Sequence, residues 1–331
     1  MNKFLMAAIA AGICASAGVS AVQAKELRLS MAPPPNSPWG AVAQKFVDKV
    51  AEVSGGELTV KAFMGSKLGG EQDVVKQIAR GRVDMGVMSN TAVSLLIPEF
   101  GLLASPYAFD SAEQFDCVAD NHLLKTFGEE FDAAGIKTVS WMEVGYQVIY
   151  SKDGVRVPAD LNGIKIRTAP SATDTTFIRA AGGTAVPLSP KDTIPAIKAG
   201  QVDAATQLSV FGIVVGYPKV APQITVTRHQ HQVGGVIISA KTWNSLSEEE
   251  QGWINEAAPI FLELRGMIRG AEGALLKKAA GEGATVIELT AEELAEWQAI
   301  APGAQTQILD EMGDNAKAKW SAIQAAKASC S

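Results

Sequence analysis

The sequence lacks the short motifs that mark the common enzyme classes. It contains no Gly-x-Ser-x-Gly nucleophile motif, no His-Glu-x-x-His metal motif, no P-loop and no Gly-x-Gly-x-x-Gly after a predicted strand. These motifs supply a nucleophile, a catalytic metal ion or a nucleotide-binding loop, so their absence argues against hydrolases, metalloproteases, NTPases and dehydrogenases. We therefore expect that the protein is not an enzyme and needs no cofactor.

Cysteine and histidine are scarce, with 3 of each among 331 residues. No Cys-x-x-Cys pair or other metal-type spacing occurs, and we expect no metal site. His229 and His231 could face the same way on a predicted strand, but no third ligand is evident, so structural or solvated histidines are favoured. Cys117 and Cys330 could form a disulfide in an oxidising compartment or could remain two inert thiols, and the sequence leaves both possibilities open.

Positive charge is also limited, since 29 Lys and Arg residues stand against 35 Asp and Glu residues and give a net charge of −6. An acidic protein surface argues against a nucleic-acid partner. Any anion that binds must therefore be held by local hydrogen-bond donors and not by the electrostatic field of the whole protein. The apolar fraction of 47% is ordinary for a globular protein and is sufficient for a buried core.

The longest apolar run lies at the N-terminus. After Lys3, residues 4–22 consist almost entirely of Ala, Ile, Leu, Met, Val and Gly, and Val22-Gln23-Ala24 resembles a cleavage site. We predict that residues 1–24 are a secretory signal peptide and that the mature protein is periplasmic. An uncleaved anchor is the alternative, although the run is short and broken by glycine. A lipoprotein site at Cys14 is disfavoured because Ile13 precedes it.

Predicted strands and helices alternate along the chain, which is typical of parallel α/β architecture. Gly81-Arg82-Val83-Asp84 and Gly200-Gln201-Val202-Asp203 each end a helix, begin a strand and lead to a polar stretch. Two similar α/β lobes would produce this repeated pattern.

Capping boxes at Ser247 and Thr290 indicate where the C-terminal helices begin. The predicted elements are strands 26–31, 58–63, 83–88, 135–143, 146–152, 164–167 and 202–208, with helices from Ser37 and over 71–80.

The predicted elements suggest an organisation into two lobes. The strand-rich segment 224–239 is expected to return to the first lobe, and the helical region that starts at Ser247 is expected to reach about Lys278. The predicted divisions are 1–24 for the signal peptide, 25–144 plus 233–272 for the first lobe, and 145–232 plus 273–331 for the second lobe.

Three predicted strands end in polar residues, and ligands of open α/β sheets bind beyond such strand ends. The first strand end carries Ser89 and Asn90, the second Arg167, and the third Gln207. Arg167 stands at the rim of its strand, where its fork of donors matches a carboxylate or a sulfonate. The helix opening at Ser171 would also direct its N-terminus towards an anion there. A surface ion pair is the alternative role for Arg167.

Six segments occur in a characteristic order along nearly the whole mature chain. They are Pro-Asn-Ser-Pro-Trp-Gly at 35–40, Ser-Lys-Leu-Gly-Gly-Glu at 66–71, Gly-Arg-Val-Asp-Met-Gly at 81–86, Ile-Pro-Glu-Phe at 97–100, Ser-Pro-Tyr-Ala-Phe at 105–109 and Ala-Asp-Leu-Asn-Gly-Ile-Lys-Ile-Arg at 159–167. Together they resemble the extracytoplasmic solute receptors of tripartite ATP-independent periplasmic (TRAP) transporters, of the dicarboxylate-binding type.

The resemblance implies a two-lobed periplasmic-binding-protein fold, type II-like, with crossing strands and a long helix joining lobes that close over a ligand. It implies that Arg167 forms a salt bridge with a ligand carboxylate. It also implies a monomeric receptor that delivers a small organic anion to the small and large membrane subunits of a transporter driven by an ion gradient. A secreted enzyme on a similar fold, or a receptor for an ATP-driven importer or a sensor, are the alternatives.

This chain departs from the family at two positions near the expected site. Gln147 stands where many relatives have a second arginine, and Thr206-Gln207 stands where relatives often have an acidic residue. The expected pocket is therefore neutral and polar around one cation, which suits a monocarboxylate, a hydroxy acid or a small sulfonate better than a dianion. Ser89, Asn90, Gln147 and Gln207 are secondary ligand-binding candidates. Trp39 either forms a wall of the pocket or staples its own helix.

Overall fold

The computed structural model describes residues 24–330, so the predicted signal peptide lies outside the described residues except for Ala24. The strands are β1 (Lys25–Met31), β2 (Leu58–Phe63), β3 (Met85–Ser89), β4 (Ile136–Ser151), β5 (Lys165–Thr168), β6 (Thr184–Pro187), β7 (Ala204–Leu208), β8 (Gln223–Thr225), β9 (His231–Ser239) and β10 (Thr285–Ile287). The helices are α1 (Pro38–Val53), α2 (Glu71–Ala79), α3 (Asn90–Val93), α4 (Ala112–Ala133), α5 (Ala172–Ala180), α6 (Pro190–Lys198), α7 (Ser209–Val215), α8 (Ala240–Asn244), α9 (Glu248–Ala257), α10 (Leu264–Gly281), α11 (Ala291–Ala299), α12 (Ala301–Met312) and α13 (Asp314–Ser329). Short 3₁₀ helices cover Pro98–Ala104, Pro158–Leu161, Tyr217–Lys219 and Ala258–Glu263.

The strands order as β2-β1-β3-β9-β4-β7-β5-β6, with β8 beside β4 and β10 beside β8. We call β1, β2, β3 and β9 the first-lobe strands, and β5, β6, β7, β8 and β10 the second-lobe strands. In the first lobe, β1 runs parallel to β2 and β3. In the second lobe, β5 runs parallel to β6 and β7. The prediction of a two-lobed α/β fold is confirmed.

β4 belongs to both lobes. It pairs with β9 up to Tyr146 and with β7 from Gln147 onwards. The sequence predicted two strands here, and that prediction was wrong, because one strand runs through with register shifts between Thr138 and Ser140 and between Glu143 and Gly145. Gly145 has φ +105°, a backbone conformation that favours glycine. β4 is therefore a crossing strand that carries its side chains past the junction of the lobes.

Local sequence explains how α1 begins and ends. Ser37 accepts a hydrogen bond from the Gly40 backbone N–H, and Pro38 occupies the first turn, where its missing N–H is tolerated. Its apolar stripe, which includes Phe46 and Val50, is buried against the first-lobe sheet. The helix stops before Gly55, which has φ +59°.

The helical region after Ser247 spans the lobes. The capping box at Ser247 and Glu250 is present as predicted, and a 3₁₀ segment at Ala258–Glu263, which contains Pro259, separates α9 from α10. Arg269 of α10 pairs with Asp116 and Glu143. Three residues further on, Glu272 accepts hydrogen bonds from Ser209 and Arg228 of the second lobe. No helix within residues 24–330 is both long enough and apolar enough to cross a membrane.

The C-terminal helix packs on the first lobe. α13 contacts α4 and the 3₁₀ segment Pro98–Ala104, and a disulfide joins Cys117 of α4 to Cys330. The sequence had left this pairing open. The division into lobes remains a proposal, and these contacts favour assigning residues 314–330 to the first lobe instead of the second.

Candidate functional site

A cleft lies where strand ends of the two lobes face each other. It contains about 580 Å³ of space outside protein atoms, part of it open to solvent. α1, α2 and β3 contribute residues from the first lobe, while β5, β7 and α7 contribute from the second. The rings of Trp39 and Phe211 meet edge to face across it, with centroids 6.3 Å apart. The structure therefore has its lobes in contact around the cleft.

Arg167 lies in this cleft, although it is only 2% exposed. Its Nε donates to the carbonyl oxygen of Leu188 over 2.9 Å, and its Nη1 donates to the carbonyl oxygen of Thr206 over 2.8 Å. Leu188 directly follows β6 and Thr206 lies within β7, the two strands beside β5, so the backbone fixes the plane of the guanidinium. Nη2 has no hydrogen-bond acceptor within residues 24–330. The fork is held rigidly and keeps donors for a further acceptor.

Arg167 forms no ion pair within the described part of the chain, so the surface-pair alternative does not describe it. Asp174, which is fully buried, is the nearby acid: its Oδ2 accepts hydrogen bonds from the backbone N–H of Ala169 and from the hydroxyl of Thr206. Burial raises the pKa of Asp174, while the Thr206 hydrogen bond and the charge of Arg167 oppose that rise. The charges of Asp174 and Glu71 act on the guanidinium without a direct ion pair, so a bound carboxylate would be its first direct ionic partner.

The N-terminus of α5 differs from the sequence prediction. Ser171 caps the helix, as predicted, by accepting from the Asp174 N–H. The Asp174 carboxylate occupies the start of this helix, which is therefore not open to a ligand. This carboxylate accepts a hydrogen bond from the backbone N–H of Ala169. The helix dipole is thus used to stabilise a protein carboxylate. The donors available to a ligand in this region come from Arg167.

Glu71 is a second charged residue of the cleft, and the sequence interpretation did not select it. It begins α2 and is 9% exposed. The backbone N–H of Ser89 donates to Oε1, and the Ser89 hydroxyl donates to Oε2 over 3.0 Å. Burial raises the pKa of the Glu71 carboxyl, and the bonds from Ser89 and the charge of Arg167 act in the opposite direction. Ser89 lines the cleft, but its hydroxyl is already committed to Glu71.

Four glutamines line the cleft, and they differ in what they can offer; the first of them, Gln72, has no partner for its Oε1 within residues 24–330. Gln207 is internally satisfied, because Nε2 donates to the Tyr217 hydroxyl over 3.1 Å and Oε1 accepts from the Leu208 N–H over 3.0 Å. Gln147 is 3% exposed, and its Oε1 has no partner within residues 24–330. Gln232 was not selected from the sequence, and its Nε2 donates to Gln230 at 3.4 Å. Gln147 is therefore a stronger candidate for direct contact than Gln207.

Trp39 and Asn90, the remaining predicted residues, are placed differently. Trp39 lines the cleft with its ring, while its Nε1 donates to the carbonyl oxygen of Glu143 over 3.1 Å. Asn90 is fully buried and is not among the lining residues, whereas its neighbour Thr91 is. Both amide atoms of Asn90 are buried without a partner within residues 24–330. Further lining residues that the sequence interpretation missed are Gln72, Met142, Val144 and Phe211.

The two central histidines do not form a joint site. His229 is buried, bonds Thr227 through Nδ1 over 2.7 Å and stacks on Phe177. His231 pairs with Glu143 over 2.7 Å and stacks on Tyr146. Within residues 24–330, no group of three or more His, Cys, Asp or Glu residues could hold a metal ion.

Proteins of known sequence and structure resemble this chain over most of its length. A solute-binding protein of Chromohalobacter salexigens is 25% identical over 260 residues, covering 78% of this chain and 77% of the relative. The 2,3-diketo-L-gulonate-binding periplasmic protein of Escherichia coli is 25% identical over 238 residues, covering 72% of this chain and 73% of the relative.

Solved structures confirm the fold. The sugar acid binding protein of Advenella mimigardefordensis, in complex with galactonate, gives a TM-score of 0.88 at 22% identity and covers 93% of this chain and 99% of its own. A TRAP periplasmic solute binding protein from Sulfitobacter, with bound β-D-galacturonate, gives 0.85 at 22% identity and covers 90% and 99%.

The family assignment follows from the sequence itself. Residues 29–311 match the family described as bacterial extracellular solute-binding protein, family 7. The resemblance to TRAP solute receptors, drawn from the ordered segments, is thereby confirmed. This chain belongs to the bacterial extracellular solute-binding proteins of family 7.

Proposed function

We propose that this protein is a periplasmic receptor that captures a small organic anion on Arg167 and delivers it to the membrane subunits of an ion-gradient-driven TRAP transporter. One observation carries the proposal. Arg167 is buried in a cleft between the lobes, is held by two backbone carbonyl oxygens and has no ion pair within residues 24–330. A carboxylate on its free edge would form the direct ion pair that Arg167 lacks within these residues.

The ligand is an organic acid with hydroxyl groups, of the sugar-acid type. The cleft places apolar side chains such as Met142 and Phe211 beside the polar atoms of Gln147 and Glu71. A chain of carbons that bears hydroxyls fits such a mixed lining. The galactonate and galacturonate bound in the related structures, and the diketogulonate named for the relative from Escherichia coli, support this class.

Export and delivery follow from the family and from the N-terminal sequence. The family is described as extracellular, and residues 1–24 have the pattern of a cleavable signal peptide. The lobes close around the ligand, and the closed form docks on the small and large membrane subunits. The protein acts as a monomer without cofactor, and the cleft binds its ligand without transforming it.

A thermal-shift screen of sugar acids, other hydroxy acids and sulfonates tests the proposal. A matching ligand at 100 times its dissociation constant stabilises the fold by about 2.7 kcal/mol, which raises the melting temperature measurably. Mass spectrometry should recover that ligand unchanged after incubation. If no organic anion shifted the melting temperature, or if the ligand were converted, the proposal would be wrong.

A further inference from the structure

We propose that Glu71 is a specificity-determining residue, which rejects ligands with a second negative charge and accepts hydrogen bonds from hydroxyl groups of a monoanion. This inference rests on the proposed function, because it assumes that the ligand acid binds Arg167. Glu71 places a negatively charged group in the same cleft as the positively charged Arg167.

The geometry of Glu71 leaves it free to contact a ligand. It lines the same cleft as Arg167, and no ion pair joins these two residues. Ser89 supplies one donor to each carboxylate oxygen, through its backbone N–H and its hydroxyl. A carboxylate oxygen can accept more than one hydrogen bond, so both oxygens keep acceptor capacity.

A structural role at the helix start does not account for the position of Glu71. An acid in the first turn is favoured by the helix dipole, but an exposed acid obtains that benefit without losing its hydration. Asp73, in the same turn of α2, is exposed in this way. Glu71 is buried at the cleft, and burial raises the pKa of its carboxyl. The cost of placing an acid there indicates a use in the cleft.

Two amide oxygens add acceptors to the cleft. Gln72, which follows Glu71 in the chain, and Gln147 both line the cleft, and the Oε1 atom of each is buried with no donor within residues 24–330. Buried acceptors need donors, so the cleft favours ligand hydroxyls. A ligand carboxylate beside Glu71 would face the Glu71 carboxylate, a like-charge arrangement that is strongly unfavourable in a desolvated site.

Matched sugar acids that differ at one terminal carbon provide the test. Galactonate and gluconate end in a hydroxymethyl group, whereas galactarate and glucarate carry a second carboxylate at that position. Isothermal titration calorimetry at pH 7 should show that the wild-type protein binds the monoanion of a pair at least about 10-fold more tightly than the dianion. This comparison needs no variant, so it stands even if substitutions impair folding.

Glu71→Gln should bind the dianion more tightly and so lower the ratio of dianion to monoanion dissociation constants by about 10-fold. Asp73→Asn is the matched control, because it removes one charge from the same helical turn outside the cleft, and its preference should equal that of the wild type. Equal wild-type affinity for both members of a pair, or an unchanged preference in a folded Glu71→Gln protein, would overturn this inference and leave the organic-acid receptor intact. Failure of the wild type to bind any organic acid would overturn both.

Discussion

Arg167 donates from Nη1 to the carbonyl oxygen of Thr206 over 2.8 Å, while the Thr206 hydroxyl bonds the buried Asp174. The backbone and side chain of one residue thus link the cationic group of the cleft to a buried acid. This arrangement holds the guanidinium in place without neutralising it through direct contact. A receptor benefits from such an arrangement, because a preorganised donor loses little entropy when the ligand binds.

Arg167→Ala should abolish ligand binding while leaving the fold intact. The buried, charge-assisted contact with the ligand is worth about 3 kcal/mol, which corresponds to a loss of affinity of about 100-fold or more. Arg167→Lys should also weaken binding, since an ammonium group cannot reproduce the planar fork. Calorimetry measures the affinity, and circular dichroism verifies the fold.

Arg179→Ala is the control for Arg167→Ala, because Arg179 is a solvent-exposed arginine of α5 whose side chain is 54% exposed. Its affinity for the ligand should equal that of the wild type. A well-folded Arg167→Ala protein that retained wild-type affinity would contradict the role assigned to this residue.

Local chemistry made several features predictable from the sequence. The Ser37-Pro38 start of α1 and the capping boxes at Ser247 and Thr290 depend on neighbours within three residues, and the structure has all of them. Arg167 could be selected because strand alternation predicts its face and the family segment implies a role in ligand binding. Helix caps and strand alternation depend on residues within one element, so they can be predicted without knowledge of the rest of the fold.

Features that depend on distant parts of the chain could not be predicted. Glu71 looks like an ordinary acid at a helix start, and only the approach of Ser89 and the second lobe buries it in the cleft. β4 looks like two strands, because the irregularity at Gly145 interrupts the alternation that identifies a strand. The pairing of Cys117 with Cys330 depends on how α13 returns to α4, 213 residues later.

The ion pair between Arg269 and Glu143 should contribute strongly to stability. The Glu143 side chain is 1% exposed, and it also pairs with His231. Arg269→Met would leave this carboxylate buried with one partner fewer, so we expect a loss of roughly 2–4 kcal/mol in the free energy of unfolding. Urea titration measures this change.

Arg265→Met is the comparison for Arg269→Met, because Arg265 pairs with Asp116 and Asp120, carboxylates that remain 22% and 45% exposed. It should cost about 1 kcal/mol or less. Equal losses for the two variants would show that burial of Glu143 does not set the energy of the pair.

The disulfide should stabilise the fold without affecting the ligand. A double variant with Cys117→Ser and Cys330→Ser should lose about 2–4 kcal/mol, because the open unfolded chain gains conformational freedom. α13 should stay docked through buried residues such as Ile323. Calorimetric unfolding measures the loss, and a chemically reduced wild type should match the variant. Neither cysteine lines the cleft, so a changed ligand affinity would contradict this separation of roles.

His229 should make the protein sensitive to acid. Burial lowers the pKa of His229 to about 3 in the folded state, from an ordinary value of 6.5. Between these two values the unfolded chain binds a proton that the folded chain refuses, so stability must fall as the pH falls from about 6.5 towards 3. The slope attributable to this group is at most about 1.4 kcal/mol per pH unit.

His229→Gln tests this contribution, because glutamine keeps hydrogen-bonding capacity beside Thr227 but does not titrate. The variant should lose some stability at pH 7, where stacking on Phe177 is missing, and its unfolding free energy should fall less steeply with acid than that of the wild type. Urea titrations at a series of pH values from 7 to 4 provide both slopes. Parallel profiles for His229→Gln and the wild type would mean that other groups, and not this buried imidazole, account for acid destabilisation.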